Sequence, residues 1–259
     1  MVAQVKSQFD TDAPILSALD SIDKWPSAES RTWAYQEIPL LCGQPNVKAI
    51  VFFGSIVRNV SLSADLDVLC IYEGTAPCFS TLPIDVDLRK YEQREVEKLL
   101  ANGNDLLSWC IKFGKPVCEH DRYWCNLLER WANGIKLPSS KVALERARKS
   151  ERLLREMDSV GDFDAALEIY LSLLTHIARA TLIRRDIYPT SRPELSGLLT
   201  QIGEKKLASY LQEAINTRNA FVHGVSSIRK KIWQPFLAEL SSAKRAEALT
   251  AHSDEDESL

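Results

Sequence analysis

The sequence predicts an α+β fold: a small mixed sheet layered by helices, followed by an all-α helical bundle. Three observations carry that expectation. The runs Ala49–Phe53 and Val68–Tyr72 are short, continuously apolar and bounded by Gly54 and Asp67, which suits buried strands. Pro83–Arg89 alternates acidic and apolar residues, as a strand with one polar face does. From about Arg122 onward the pattern becomes long stretches with apolar residues at helical spacing, which suits a bundle.

The 259 residues divide into four expected parts: a helical segment over 1–45, a sheet domain over 46–120, a helical bundle over 121–245 and an acidic, disordered tail over 246–259. In the first part, Ile15, Leu16, Leu19 and Ile22 recur at helical spacing behind Asp12 as a cap and Pro14 in the first turn. A second helix over Arg31–Leu41 carries Trp33, Ile38 and Leu41, side chains expected to pack against the sheet. After the strands come two more helices, from Gln93 and from Asn104, and an edge strand, Gly114–Glu119, in which Pro116 suits an edge.

In the bundle, Ser139 precedes a helix ending at Val160, and Asp162 precedes another over Phe163–Ile187. Leu167, Tyr170, Leu171, Leu174, Ala178 and Leu182 form its apolar stripe, with His176 alongside as a structural histidine. Helices over 194–202, 204–222 and 228–240 follow, the last interrupted near Pro235.

Forty-five per cent hydrophobic and 26% charged residues describe an ordinary globular chain. A net charge of −3 and a pI of about 5.9 argue against a surface that coats nucleic acid. The sequence shows no basic-then-apolar N-terminal pattern and no run judged long enough to span a bilayer, so a cytoplasmic protein without membrane partners is expected. Cys42, Cys70, Cys78, Cys110, Cys118 and Cys125 show no C-x-x-C pair, and buried free thiols are expected in place of zinc sites or disulfides.

The chemistry concentrates between Val47 and Asp67. Gly54 lets the backbone turn sharply and approach a ligand, and Ser55 and the amides after it form a cradle for phosphate oxygens. Ten positions beyond Ser55 stand Asp65 and Asp67, which share a strand face. Two carboxylates so close repel each other unless a cation lies between them. Mg²⁺ suits the gap, because it takes one or two carboxylates and fills its other positions with water and substrate phosphate. Asp85 or Asp87 on the next strand offers a third carboxylate, placed to take a proton from an attacking hydroxyl.

Gly-Ser, then Asp-x-Asp, then a strand aspartate resembles the DNA polymerase β-like nucleotidyltransferase superfamily over roughly Val47–Glu119. The resemblance implies that Gly54, Ser55 and Arg58 hold the triphosphate, and that Asp65, Asp67 and Asp87 bind two Mg²⁺ ions. It also makes Asp87, in preference to Asp85, the general base. Within the bundle, Arg218, Asn219 and His223 resemble the R-x4-H element of HEPN domains, which implies a homodimer that brings Arg218 and His223 together. Val225 stands where adenylylated HEPN toxins often carry tyrosine.

The function these resemblances imply is transfer of a nucleoside monophosphate, AMP from ATP for preference, to a hydroxyl of a small molecule such as an aminoglycoside or of a protein. Two alternatives remain. One is an HEPN-type ribonuclease or toxin-antitoxin-like module acting on RNA and regulated by the sheet domain; the other is a non-catalytic nucleotide-binding module.

Overall fold

The computed structural model describes residues 14–58, 65–131, 133–222 and 231–242. Asp12, the 59–64 connection, His223, Val225, residues 228–230 of the expected last helix and the acidic tail lie outside the described residues. The chain divides into two compact units. The first runs to Pro138 and regains Thr190–Glu194; the second holds Ser139–Pro189 and continues from Leu195. The boundary expected near residue 120 falls inside the first unit.

In the first unit, α1 (14–20) and α2 (Ala28–Cys42) lead into the sheet. Helix α2 begins three residues earlier than expected, because the Ser27 side chain accepts a hydrogen bond from the Ser30 amide at 3.0 Å and closes a capping box. Trp33, Ile38 and Leu41 are buried, and α2 packs against strand β1 (Val47–Phe53). Strands β2 (Leu66–Tyr72), β3 (Val86–Glu92) and β4 (Lys115–Glu119) complete a sheet of order β3-β2-β1-β4. The two central strands are covered on both faces, which is why they read as continuous apolar runs.

Strand β1 pairs antiparallel with β2 and β4, whereas β2 and β3 run parallel and need the long connection between them. The third strand starts at Val86, later than expected, because the Val86 amide bonds back to the Pro83 carbonyl at 3.1 Å and closes a turn. Asp85 therefore sits in that turn, its carbonyl accepting from the Leu66 amide at 2.7 Å. Three helices follow β3 and flank β4: α3 (Gln93–Ala101), α4 (Asp105–Phe113) and α5 (Tyr123–Trp131). The Asn104 side chain caps α4 by accepting from the Leu107 amide at 3.0 Å.

The cysteines depart from expectation. Cys42, at the end of α2, and Cys118, on β4, form a disulfide with their α-carbons 6.1 Å apart. Seventy-six residues separate them, so no local spacing announces the pair. Cys70 and Cys110 are buried free thiols, Cys125 is half-buried and Cys78 is exposed.

The second unit contains α6 (Ser140–Val160), α7 (Phe163–Ile183), α8 (Arg192–Gln201, its first turn counted with the first unit), α9 (Lys205–Val222) and α10 (234–242). Gly161 at φ 78° ends α6, and the Asp162 carboxylate caps α7 by accepting from the Ala165 amide. Helix α7 stops at Ile183, short of Ile187, because Asp186 takes φ 58° and the Ile187 amide turns back to the Leu182 carbonyl. Pro235 does not interrupt α10; it sits in the first turn, where its missing N–H costs nothing.

Leu154, Leu167, Tyr170, Leu174, Leu199, Leu211 and Trp233 form the core, and the Trp233 indole N–H donates to Asp158 at 3.0 Å. One helix among the described residues, α7, is long and apolar enough to cross a membrane, contrary to the sequence expectation. Sixty-one per cent of its apolar window is buried in the bundle, as in a core helix.

Candidate functional site

The site forms where β1 ends beside the start of β2. Phe53 pairs with Asp67, and the next residue, Gly54, turns the chain at φ 75° into a short 3-10 turn over Gly54–Arg58. A Cβ at Gly54 would overlap the Asp67 carboxylate, so both the dihedral and the space require glycine. The apolar strand thus delivers a bare stretch of backbone against the Asp67 carboxylate, a contact the sequence did not announce.

On the other side, Asp67 stands in register with Asp87 across the parallel pair, and Asp65 lies two residues earlier at the strand mouth. Burial pushes the Asp67 carboxyl up to about 8, with Asp65 and Asp87 adding to the rise and Arg89 and Arg192 opposing it. Burial also drives the nearby Cys110 thiol up, and the charge of Asp67 pushes it further in the same direction.

The two candidates for the third carboxylate differ. Asp87 accepts from the Arg89 guanidinium at 2.7 Å and is 40% exposed. Both carboxylate oxygens of Asp85 are buried with no hydrogen-bond partner. Among the described residues, no group of three or more His, Cys, Asp or Glu side chains is disposed to hold a metal ion. A closed three-carboxylate cluster is therefore not preformed. In chemistry, though not in a preformed geometry, the donors are of the kind Mg²⁺ takes: carboxylate oxygens are hard ligands, and Mg²⁺ characteristically completes its shell from water and phosphate.

Arg58 is placed differently from the expected phosphate contact. Its guanidinium grips Glu194 in a forked pair, Nε to Oε2 at 3.1 Å and Nη2 to Oε1 at 2.6 Å, and lies 4.9 Å from the centroid of the Phe113 ring. Burial pushes the Glu194 carboxyl up, but hydrogen bonds from Arg58 and Ser191 outweigh it and leave it below the usual range. Ser55 also makes an interaction in the structure.

Glu194 and Arg192 are residues that sequence reasoning missed. The one available signal was Ser191-Arg-Pro-Glu194, a helix-start pattern that announces α8 but not its neighbours. In the helical unit, the Arg218 Nε pairs with Glu168 at 2.8 Å, and Asn219 lies on α9 one residue further on. His223 is outside the described residues, so the expected Arg–His pairing has only its Arg218 and Asn219 members placed.

No protein-family model matches the chain, and no curated protein matches it. Among solved structures, the chain is similar to a nucleotidyltransferase-like protein from Exiguobacterium sibiricum 255-15, at 15% identity over 78% of this chain and 84% of that one. The TM-score is 0.28, a likeness too remote to inform the site, whose interpretation rests on its own geometry.

Proposed function

We propose that the first unit is a Mg²⁺-dependent nucleotidyltransferase that moves a nucleoside monophosphate, AMP from ATP for preference, to the hydroxyl of a small molecule such as an aminoglycoside or of a protein. One observation carries this: a half-buried carboxyl, Asp67, is flanked by Asp65 and Asp87 and abuts a glycine turn that tolerates no side chain. A structural carboxylate has no need of two acidic neighbours, whereas a site for a cation and a polyphosphate does.

In the reaction, the acceptor oxygen attacks the α-phosphorus and a new P–O bond forms. The bond from the α-phosphorus to the bridging oxygen breaks, and pyrophosphate leaves with the electron pair. The acceptor proton passes to Asp87, or to Asp85, the other acid at this end of the third strand. Gly54 and Ser55 would orient the phosphates, and Asp65 and Asp67 with the third acid would hold the metal, read as two ions. Bound Mg²⁺ would supply charge neutralisation at the phosphate oxygens.

The test offers α-labelled nucleoside triphosphates with Mg²⁺ to the full chain, together with aminoglycosides, a protein lysate and RNA. Label should appear on an acceptor with the wild type and disappear with Asp65→Ala/Asp67→Ala. Triphosphate binding without transfer to any acceptor would point to a binding module, and RNA cleavage insensitive to that double substitution would point to the ribonuclease alternative.

A further inference from the structure

In the first unit, the loop between α1 and α2 and the first turns of α2 enclose a cavity of about 700 Å³, lined by Asp23, Trp25, Ala28, Arg31 and Tyr35 among others. Strand geometry fixes which side of the sheet it is on. Phe53 shares a face with its cross-strand partner Asp67, so Phe52 points to the opposite face, and the Trp25 ring stands edge-on to Phe52 with centroids 6.5 Å apart. Phe52 is buried, so this contact seats Trp25 on the core. Trp25 also meets the Tyr35 ring at 6.0 Å, and the Tyr35 hydroxyl donates to Asp20, which fixes the second ring. The cavity therefore has a half-buried aromatic wall and a volume in the range of small-molecule sites.

Its charges stand apart from each other. Arg31 lies 5.5 Å from the centroid of the Tyr35 ring, and a guanidinium held against a ring keeps N–H donors for an anion. The N-terminal end of α2, which reaches the cavity at Ala28, favours negative charge at the same end. Asp23 offers the opposite charge, and its carboxylate has no partner among the described residues. Asp23 and Arg31 thus line one cavity without neutralising each other. A polyphosphate fits poorly, because Asp20, Asp23 and Glu29, in the first turn of α2, would repel it. A molecule that bears one anionic group, one cationic group and a ring matches the guanidinium, the open carboxylate and the aromatic wall together.

We infer that this cavity is a binding site for an aromatic α-amino acid. The ligand carboxylate meets Arg31 and the first turn of α2, the ammonium meets Asp23, and the ring lies against Trp25. The site is on the other face of the sheet from Asp67 and does not rest on the nucleotidyltransferase assignment.

The experiment titrates four probes calorimetrically into the full chain: L-phenylalanine; phenylpropionate, which lacks the ammonium; phenethylamine, which lacks the carboxylate; and L-alanine, which lacks the ring. The wild type should bind a single L-phenylalanine per chain, and each of the other three at least about tenfold more weakly. Asp23→Asn should weaken L-phenylalanine binding about tenfold and leave phenylpropionate unchanged, whereas Arg31→Gln should weaken L-phenylalanine as much and leave phenethylamine unchanged. Misfolding cannot produce that crossed pattern, because it weakens every probe alike. Absence of L-phenylalanine binding at concentrations up to about 5 mM would overturn the proposal. So would equal affinity of the wild type for L-phenylalanine and any of the three analogues, a test that needs no variant. A uniform loss of all probes in both variants would overturn the roles given to Asp23 and Arg31. Displacement of bound L-phenylalanine by ATP with Mg²⁺ would return the cavity to the nucleotide and overturn the amino-acid assignment.

Discussion

Gly54 and Asp67 occupy one small volume: the left-handed glycine that ends β1 leaves room for the carboxylate that opens β2, and for nothing else. Gly54→Ala would force a Cβ into that space at a φ that L-residues avoid. Denaturant unfolding should show a loss of about 2–3 kcal/mol, from backbone strain and overpacking together. Label transfer should fall even at temperatures where the variant remains folded.

The raised Asp67 carboxyl sets a pH dependence whose sign is fixed. Its folded value of about 8 lies well above the ordinary aspartate value of 3.8, so the folded chain binds the proton more tightly than the unfolded chain. The metal-free protein should therefore lose stability as pH rises from about 4 to about 8, with a limiting slope of about 1.4 kcal/mol per pH unit. Thermal midpoints across that range should show the decline. Asp67→Asn should flatten it, and added Mg²⁺ should stabilise the wild type more at pH 8 than at pH 5.

Asp85 and Asp87 should separate in a stability assay as well as in an activity assay. Asp85→Ala removes two buried carboxylate oxygens that have no hydrogen-bond partner, and should stabilise the metal-free chain by about 1 kcal/mol. Asp87→Asn breaks only a half-exposed pair with Arg89, and should leave stability within about 0.5 kcal/mol. Transfer should fall about 100-fold or more in Asp87→Asn, the acid in register with Asp67.

Cys42→Ser/Cys118→Ser, or reduction of the wild type, should lower stability by about 2–4 kcal/mol, since the bond closes a loop of 76 residues. Mass spectrometry of the unreduced protein after thiol alkylation should find four modified cysteines, and six after reduction. The bond also pulls against the cytoplasmic expectation, because disulfides persist in oxidising compartments.

What the sequence showed well was local. The run Ala49–Phe53 is apolar because its strand is covered on both faces, and Gly54 follows because the turn demands it. Asn104, Ser139 and Asp162 each cap the helix their positions announced. The missing parts were those decided by distant pairing. Arg58 meets Glu194 across 136 residues and Cys42 meets Cys118 across 76, separations at which no spacing rule operates. The different settings of Asp85 and Asp87 follow from where one strand begins, a matter of a single turn closed by Pro83.

Because Thr190–Glu194 counts with the sheet while the chain on either side of it counts with the bundle, no single cut yields both bodies intact. An expression product ending at Pro138 would strip Arg58 of its carboxylate partner, Glu194. Functional dissection of this protein therefore calls for point substitutions or a grafted 190–194 peptide loop in preference to truncation.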